Sequence, residues 1–211
     1  MARSLSGTDY FEYDLFSAYE QGNWLERLFH HRRVREVLAL THFDQKTVLD
    51  YGCNTGIFLI RFGQLGVQIS GYDVSERNLN RAQKNLLQFG LQSELLCRQL
   101  PVRKWDVVLL INVLEYATDK RKVVQDIADH LEPDGRVIVC VANRNHPFVQ
   151  YAWIRSIFSS RSPSDINRTE AALKLGGQET LELFAQSGFR IERSKWGCFW
   201  INQYYVFEYG G

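Results

Sequence analysis

Short apolar runs and helically spaced apolar residues take turns along the middle of the chain. Thr47, Val48 and Leu49 form one run, residues 67–73 alternate, 93–97 form a weaker run, and 105–111 and 136–141 form two strong ones. Runs of this length, rich in β-branched residues, suit strands covered on both faces. Between them stand Ile57, Phe58, Phe62 and Leu65, then Leu79, Ala82, Leu86 and Leu87, then Val123, Val124, Ile127 and Leu131. Each of these sets is spaced to share one side of a helix. Ser75 is placed to cap a helix over 76–87, a further helix spans 119–131, and Pro133-Asp134-Gly135 turns into the strand at 136–141. Alternation of this kind predicts an α/β fold: a parallel sheet with helices on both faces.

The two ends depart from that rhythm. Residues 10–40 predict two helices, the second with Trp24, Leu25, Leu28, Phe29, Val34, Val37 and Leu38 as an apolar stripe. Its other face carries His30, His31, Arg32, Arg33 and Arg35, which is either a solvated basic face or one that meets an anionic ligand group or lipid headgroups. From Pro147 an aromatic segment over 148–158 takes over, to be read as ordinary core or as a lid over an apolar or lipid-like acceptor. A helix over 179–186 and strands over 190–195 and 199–209 close the chain, with no internal repeat and no linker.

Charge and cysteine usage narrow the classes. Twenty-five Lys and Arg nearly balance 24 Asp and Glu, for a formal charge of +1, so there is no bulk pull toward nucleic acid. The longest strongly apolar stretch, 107–111, is far short of the roughly 20 residues of a membrane span, so no transmembrane segment is expected and peripheral membrane contact is left open. Cys53, Cys97, Cys140 and Cys198 stand singly, without metal-ligand spacing or a disulfide framework, and the first residues lack the apolar core of a signal peptide. A reduced, cytoplasmic setting without a metal is the simplest expectation.

The chemistry concentrates at 46–58. Gly52 and Gly56 bracket a turn between strand and helix, with Asn54, a residue tolerant of left-handed backbone, between them. Amides at the helix start would face the space above this turn. Ligands of such sheets sit beyond the carboxyl ends of the strands, which singles out Asp50, Asp73, Gln99, Asn112 and the stretch Asn143 to His146. Asp73, one turn-helix-strand passage after Gly52, is placed to accept from two ribose hydroxyls. The dinucleotide fingerprint G-x-G-x-x-G is absent, and Asp50 ahead of the first glycine suits a cationic ligand better than a pyrophosphate.

These residues resemble the class I S-adenosylmethionine-dependent methyltransferases over about residues 25–208. VLDYGCNTG is similar to that family's first motif, GYDVS to its second, DVVLLINVLEYATD to its fourth strand and following turn, LEPDGRVIVCVAN to its fifth, and SGFRIERSKW to its sixth strand region. The resemblance implies a Rossmann-like doubly wound, mostly parallel seven-stranded sheet in the order 3-2-1-4-5-7-6, the last strand antiparallel, with N-terminal helices. Residues 1–211 would form one domain, with 1–42 a helical cap and 146–178 a substrate-side insertion. It further implies S-adenosyl-L-methionine as cofactor. Asp50, Gly52, Cys53, Asn54 and Gly56 would line its methionine part, Asp73 its ribose and Val74 its adenine. Gln99 and Leu100 stand where the family commonly carries an acidic residue reading the adenine amine, and a glutamine oxygen can still accept there. Asn112 and Val113 would lie near the transferable methyl. In the ubiquinone-pathway-like subgroup an arginine before the first strand meets the cofactor carboxylate, and Arg32 or Arg33 would fill that place.

The expected reaction is methylation of a small molecule, at oxygen in preference to nitrogen. Asn112-Val113-Leu114-Glu115 replaces the NPPY or DPPY tetrad of the adenine and glutamine-amide methylases. His146, beyond the fifth strand, is the candidate base ahead of His30 and His31. Tyr116, standing where the related VLEH motif often carries histidine, would shape the acceptor pocket. Two rivals remain: a nicotinamide-dependent oxidoreductase, which would bind NAD instead, and a non-catalytic partner that binds the cofactor and transfers nothing.

Overall fold

The computed structural model describes residues 14–97, 99–151, 173 and 175–210. The first residues of the expected cap (1–13) and most of the expected aromatic segment and insertion (152–172) lie outside the described residues. Helices α1 (Leu15–Gln21) and α2 (Trp24–Leu38) precede β1 (Thr47–Tyr51), α3 (Ile57–Gln64), β2 (Gln68–Tyr72), α4 (Glu76–Gln88), β3 (Glu94–Leu96), β4 (Trp105–Ile111), α5 (Lys120–Asp129) and β5 (Leu131–Ala142). The helix Gly177–Gln186, here α6, then leads to β6 (Phe189–Gly197) and β7 (Asn202–Tyr209).

The strands form one seven-stranded sheet in the order β3-β2-β1-β4-β5-β7-β6, as expected. β1 to β5 run parallel to one another, and β7 runs antiparallel to both β5 and β6. The central strands are apolar throughout because both faces are covered: Val48, Leu49, Val108, Leu110, Val137 and Val139 are fully buried. One core cluster joins Phe58, Phe62, Leu79 and Leu86 from α3 and α4 to Val34 and Val37 from α2, and the other joins Val124 and Ile127 of α5 to Phe184 of α6. Ser75 caps α4 as expected, accepting from Asn78 N, whereas Asp119, expected inside its helix, stands ahead of α5 and caps it by accepting from Lys122 N.

Several expectations need correction. Leu87 is 60% exposed, because of its apolar residues α4 turns only Leu79, Ala82 and Leu86 inward. Leu131 opens β5 instead of closing α5. It pairs with Trp105, and Arg136 pairs with Val107, so Pro133-Asp134-Gly135 forms an irregularity within β5. β7 starts only at Asn202, after a turn of unusual backbone described below.

The largest correction concerns α2. Trp24 (73%), Leu25 (56%) and Leu28 (43%) are exposed, whereas His30, Arg33 and Glu36 are buried beside Val34 and Val37. The basic face, open in the sequence between a solvated face and one that meets a ligand or lipid, is in part the inward one, because α2 lies over polar groups at the carboxyl end of the sheet. Among the described residues, no helix is long and apolar enough to cross a membrane.

Candidate cofactor and acceptor site

The site begins where β1 stops. Gly52 has φ +86°, and a Cβ built on it would come 2.5 Å from Cγ2 of Val113, so only glycine lets the β1 and β4 ends close on each other. Gly52 N and Cys53 N both donate to Tyr72 O, at 2.7 and 2.9 Å, which ties the turn to the end of β2. Asn54 (φ 49°) and Gly56 (φ 87°) are left-handed, and Gly56 opens α3 without a side-chain cap. The turn is pinned from outside: Thr55 Oγ1 accepts from Phe16 N at 2.9 Å, and Asn85 Nδ2 donates to Thr55 O at 2.9 Å.

Asp73 closes the turn on its other side. Its carboxylate accepts from Asn54 N and Ser75 N, each at 2.9 Å, and from Asn78 Nδ2 at 3.4 Å. Burial raises the carboxyl above its usual range, against the lowering effect of these donors. Two carboxylate oxygens offer about four lone-pair positions, so capacity remains for a ligand hydroxyl.

Behind this turn lies a polar cluster. Asp50 is 2% exposed and its Oδ2 has no hydrogen-bond partner. Burial, then the charge of Asp73, push its carboxyl up to about 7, while the Arg33 guanidinium opposes the rise. Arg33 is itself buried. Its Nη1 donates to Asn112 Oδ1 at 3.3 Å and its Nε has no partner. Asn112, left-handed at φ 54°, donates from Nδ2 to Glu115 Oε1 at 3.1 Å, and the same oxygen accepts from Ala142 N at 3.1 Å. Glu115 thereby joins the carboxyl ends of β4 and β5. Its role was missed in the sequence, although it stands three residues after Asn112 in a motif already singled out.

Of the two arginines left open by the sequence, Arg33 is the one brought to Asp50 and Asn112. Arg32 turns aside, pairing with Glu36 at 2.9 Å and lying over the Phe199 ring at 4.6 Å. Val74 (55% exposed) and Gln99 stand at the open rim, and Leu100 and Val113 are half-buried beside the core. The Cys53 side chain is not at the rim. Its sulfur packs inside against Gly71, where an added Cβ would approach it to 2.9 Å, so only its backbone belongs to the turn. Tyr116 is half-buried, its amide donating to Val113 O at 2.9 Å. His146 accepts the Phe148 N–H on Nδ1 at 3.1 Å, which in a neutral ring leaves the proton on Nε2. His30 is buried, and His31 stacks on Tyr19 with ring centroids 3.9 Å apart, on the opposite side of α2 from Arg33.

The turn between β6 and β7 reaches the same end of the sheet. Cys198, Phe199 and Trp200 have φ of 48°, 59° and 62°, three consecutive non-glycine residues in a region that costs about 1–2 kcal/mol each. Glu36 holds one end, both carboxylate oxygens accepting from Cys198 N at 3.2 and 3.1 Å. Asn143 holds the other, its Nδ2 donating to Trp200 O at 2.9 Å and its backbone N to Ile201 O at 2.7 Å. Burial raises the Cys198 thiol to about 11, which keeps it protonated beside Glu36.

Comparison with known proteins gives concordant findings. A family model described as methyltransferase domain matches residues 23–197. The ubiquinone biosynthesis O-methyltransferase of Stutzerimonas stutzeri is 28% identical over 165 residues, covering 71% of this chain and 70% of that protein. The enzyme of the same description from Leptothrix cholodnii is 30% identical over 131 residues, or 58% of this chain, which spans 51% of its length. Among solved structures, magnesium protoporphyrin IX methyltransferase from Synechocystis PCC 6803 with bound S-adenosylmethionine superposes with a TM-score of 0.70 at 20% identity, covering 99% of this chain and 100% of that one. An S-adenosylmethionine-dependent methyltransferase from Aquifex aeolicus gives 0.66 at 15% identity, covering 93% and 99%. At these identities the structural likeness is one of fold.

Proposed function

The chain belongs to the methyltransferase domain family as a class I enzyme dependent on S-adenosyl-L-methionine, and from that premise we propose that it methylates an apolar small molecule, at oxygen in preference to nitrogen. The observation that carries the reading is a pair of orphaned buried groups. Asp50 Oδ2 lacks a donor and Arg33 Nε lacks an acceptor, while Arg33 Nη1 is tied to Asn112. An amino-acid end, with its ammonium and carboxylate, is complementary to both. Gly52 and Gly56 keep the wall beside the methionine part free of side chains, with Asn54 between them, and Asp73 has capacity for the ribose. Val74 and Gln99 would flank the base.

When bound, S-adenosylmethionine supplies a methyl already activated by the positive sulfonium, so alignment with the acceptor provides much of the acceleration. The chain's part is to fix that alignment. Glu115 orients Asn112, Asn112 and Arg33 orient each other, and Val113 packs against the glycine turn. Tyr116 would shape the acceptor side. His146 is not assigned as base, because its Nδ1 is engaged by the local backbone and its Nε2 is then a donor. The oxygen preference and the small-molecule class are supported by the O-methyltransferase names of the relatives and by the near-neutral charge.

Titration calorimetry with S-adenosylhomocysteine and with NAD, followed by transfer of labelled methyl to a panel of phenols, catechols and amines, tests the proposal. Binding of the first compound alone and labelling of a phenolic oxygen are expected. Absence of any affinity for S-adenosylhomocysteine overturns the reading.

Asp50 also gives the site a pH dependence. The ligand ammonium requires the carboxylate, and the free protein holds a carboxyl with a pKa of about 7. Affinity for S-adenosylhomocysteine should therefore rise by up to about tenfold per pH unit below 7 and level off above it. The stability of the free protein moves the opposite way on this group's account. The folded state binds the proton more tightly than the unfolded chain, so this contribution is full below about pH 4 and is lost as pH rises through about 7. Calorimetry and thermal melting between pH 5 and 8 read both slopes.

A further inference from the structure

The left-handed turn at Cys198-Phe199-Trp200 has no evident need in joining two antiparallel strands. Two-residue connections built on glycine or asparagine serve that purpose with a twist that matches the strands. Here three bulky or apolar residues adopt the unfavourable backbone, and the molecule invests two buried or half-buried polar side chains, Glu36 and Asn143, in holding it. Gly197 lets the Glu36 carboxylate approach so closely that an added Cβ would collide with it. The product of this arrangement is the display of Phe199, 50% exposed, and Trp200, 66% exposed. Strain held in place by surrounding structure in this way marks functional positions.

The display stands on the rim of the proposed site. Asn112 N donates to Cys140 O, and Asn143, which holds Trp200, lies three residues further along the same chain, about 10 Å at strand spacing. Neighbouring residues of α2 reach both places, Arg33 touching Asn112 and Arg32 lying over Phe199. The turn is thus continuous with the methyl-transfer end of the cleft and stands across β1, β4 and β5 from Asp73 and Val74.

Resting on the function proposed above, we infer that Phe199 and Trp200 form the acceptor-binding wall, gripping a flat apolar acceptor by stacking while Glu36 and Asn143 fix their backbone. Two rings held on a rigid turn offer large contact area with few rotamers to freeze. Arg32 covers one face of Phe199 and leaves the ring placed by a charge-quadrupole contact.

The test uses 1-naphthol as a flat apolar probe, titrated into the full chain saturated with S-adenosylhomocysteine. The wild type is expected to bind it saturably at one site. Trp200→Ala and Phe199→Ala should each weaken naphthol at least fivefold and leave S-adenosylhomocysteine affinity within twofold, since both side chains are exposed and lie outside the cofactor cluster. Leu87→Ala, an equally exposed apolar residue on α4, should change neither. Unsaturable binding, or unchanged naphthol affinity in both aromatic variants, overturns the inference. So does loss of binding to phosphatidylglycerol vesicles in Trp200→Ala with naphthol affinity intact, which would make the turn a membrane contact. Failure of the wild type to bind S-adenosylhomocysteine would instead strike the function on which the inference rests.

Discussion

Asp73→Ala is expected to lower S-adenosylhomocysteine affinity by at least about 100-fold and to destabilise the protein by about 2–4 kcal/mol. Hydrogen bonds to a charged group contribute roughly 1.5–3 kcal/mol each, and two ribose hydroxyls sharing one carboxylate would lose both. The structural cost has a separate origin. Asn54 N and Ser75 N both donate to Asp73, and leaving such donors buried without an acceptor costs about 1–3 kcal/mol apiece. Asp73→Asn separates the two effects. Its carbonyl oxygen still accepts from one of the two amides while its NH2 cannot accept from the other, so about half of the stability should return, while a ribose that needs two acceptor positions stays weakly held. Calorimetry and thermal unfolding on the two variants measure these quantities independently. An Asp73→Ala protein that is folded and binds within threefold of wild type would remove Asp73 from the cofactor site and leave it a clasp between the turn and α4.

The contrast between Asp73 and its neighbourhood also shows what the chain discloses locally. The carboxylate-tipped second strand, the glycine turn and the apolar central strands are written in contiguous residues, and the structure has them where their pattern placed them. α2 is different. Counting apolar residues turned Trp24, Leu25 and Leu28 inward, but the inward face is chosen by partners remote in sequence: Asn112 for Arg33, and the Cys198 amide for Glu36. No periodicity within residues 24–38 encodes those contacts, because a helix sealing a polar site buries charge wherever a polar partner meets it. The 198–200 turn was hidden for a related reason. Cys-Phe-Trp carries none of the glycine or asparagine that signals left-handed backbone, and only the carboxylate and amide that hold it reveal why it is tolerated. Glu115 was legible as a motif member, but its link to Ala142 N depends on β4 and β5 being neighbours.

Arg33→Ala should be as damaging to cofactor binding as the loss of Asp73, and Arg32→Ala should not. Arg33 is the positive charge that lowers the buried Asp50 carboxyl, and without it that carboxyl rises above about 7. At pH 7 the aspartate would then be mostly protonated, so one substitution removes the partner of the ligand carboxylate and neutralises the partner of its ammonium. A loss of about 100-fold or more in S-adenosylhomocysteine affinity follows from two charge-assisted contacts. Part of it should be recovered by raising the pH toward 9, which the wild type, already level above 7, would not show. Arg33→Lys keeps a charge near Asp50 without the planar fork, and is expected to fall between the two. Arg32→Ala removes a half-exposed ion pair with Glu36 and the contact with Phe199, for a change within about threefold in cofactor affinity. A reversed ranking of the two alanine variants would mean that α2 presents the other arginine when the cofactor is bound, and that the orphaned Arg33 Nε is not the group waiting for the ligand carboxylate.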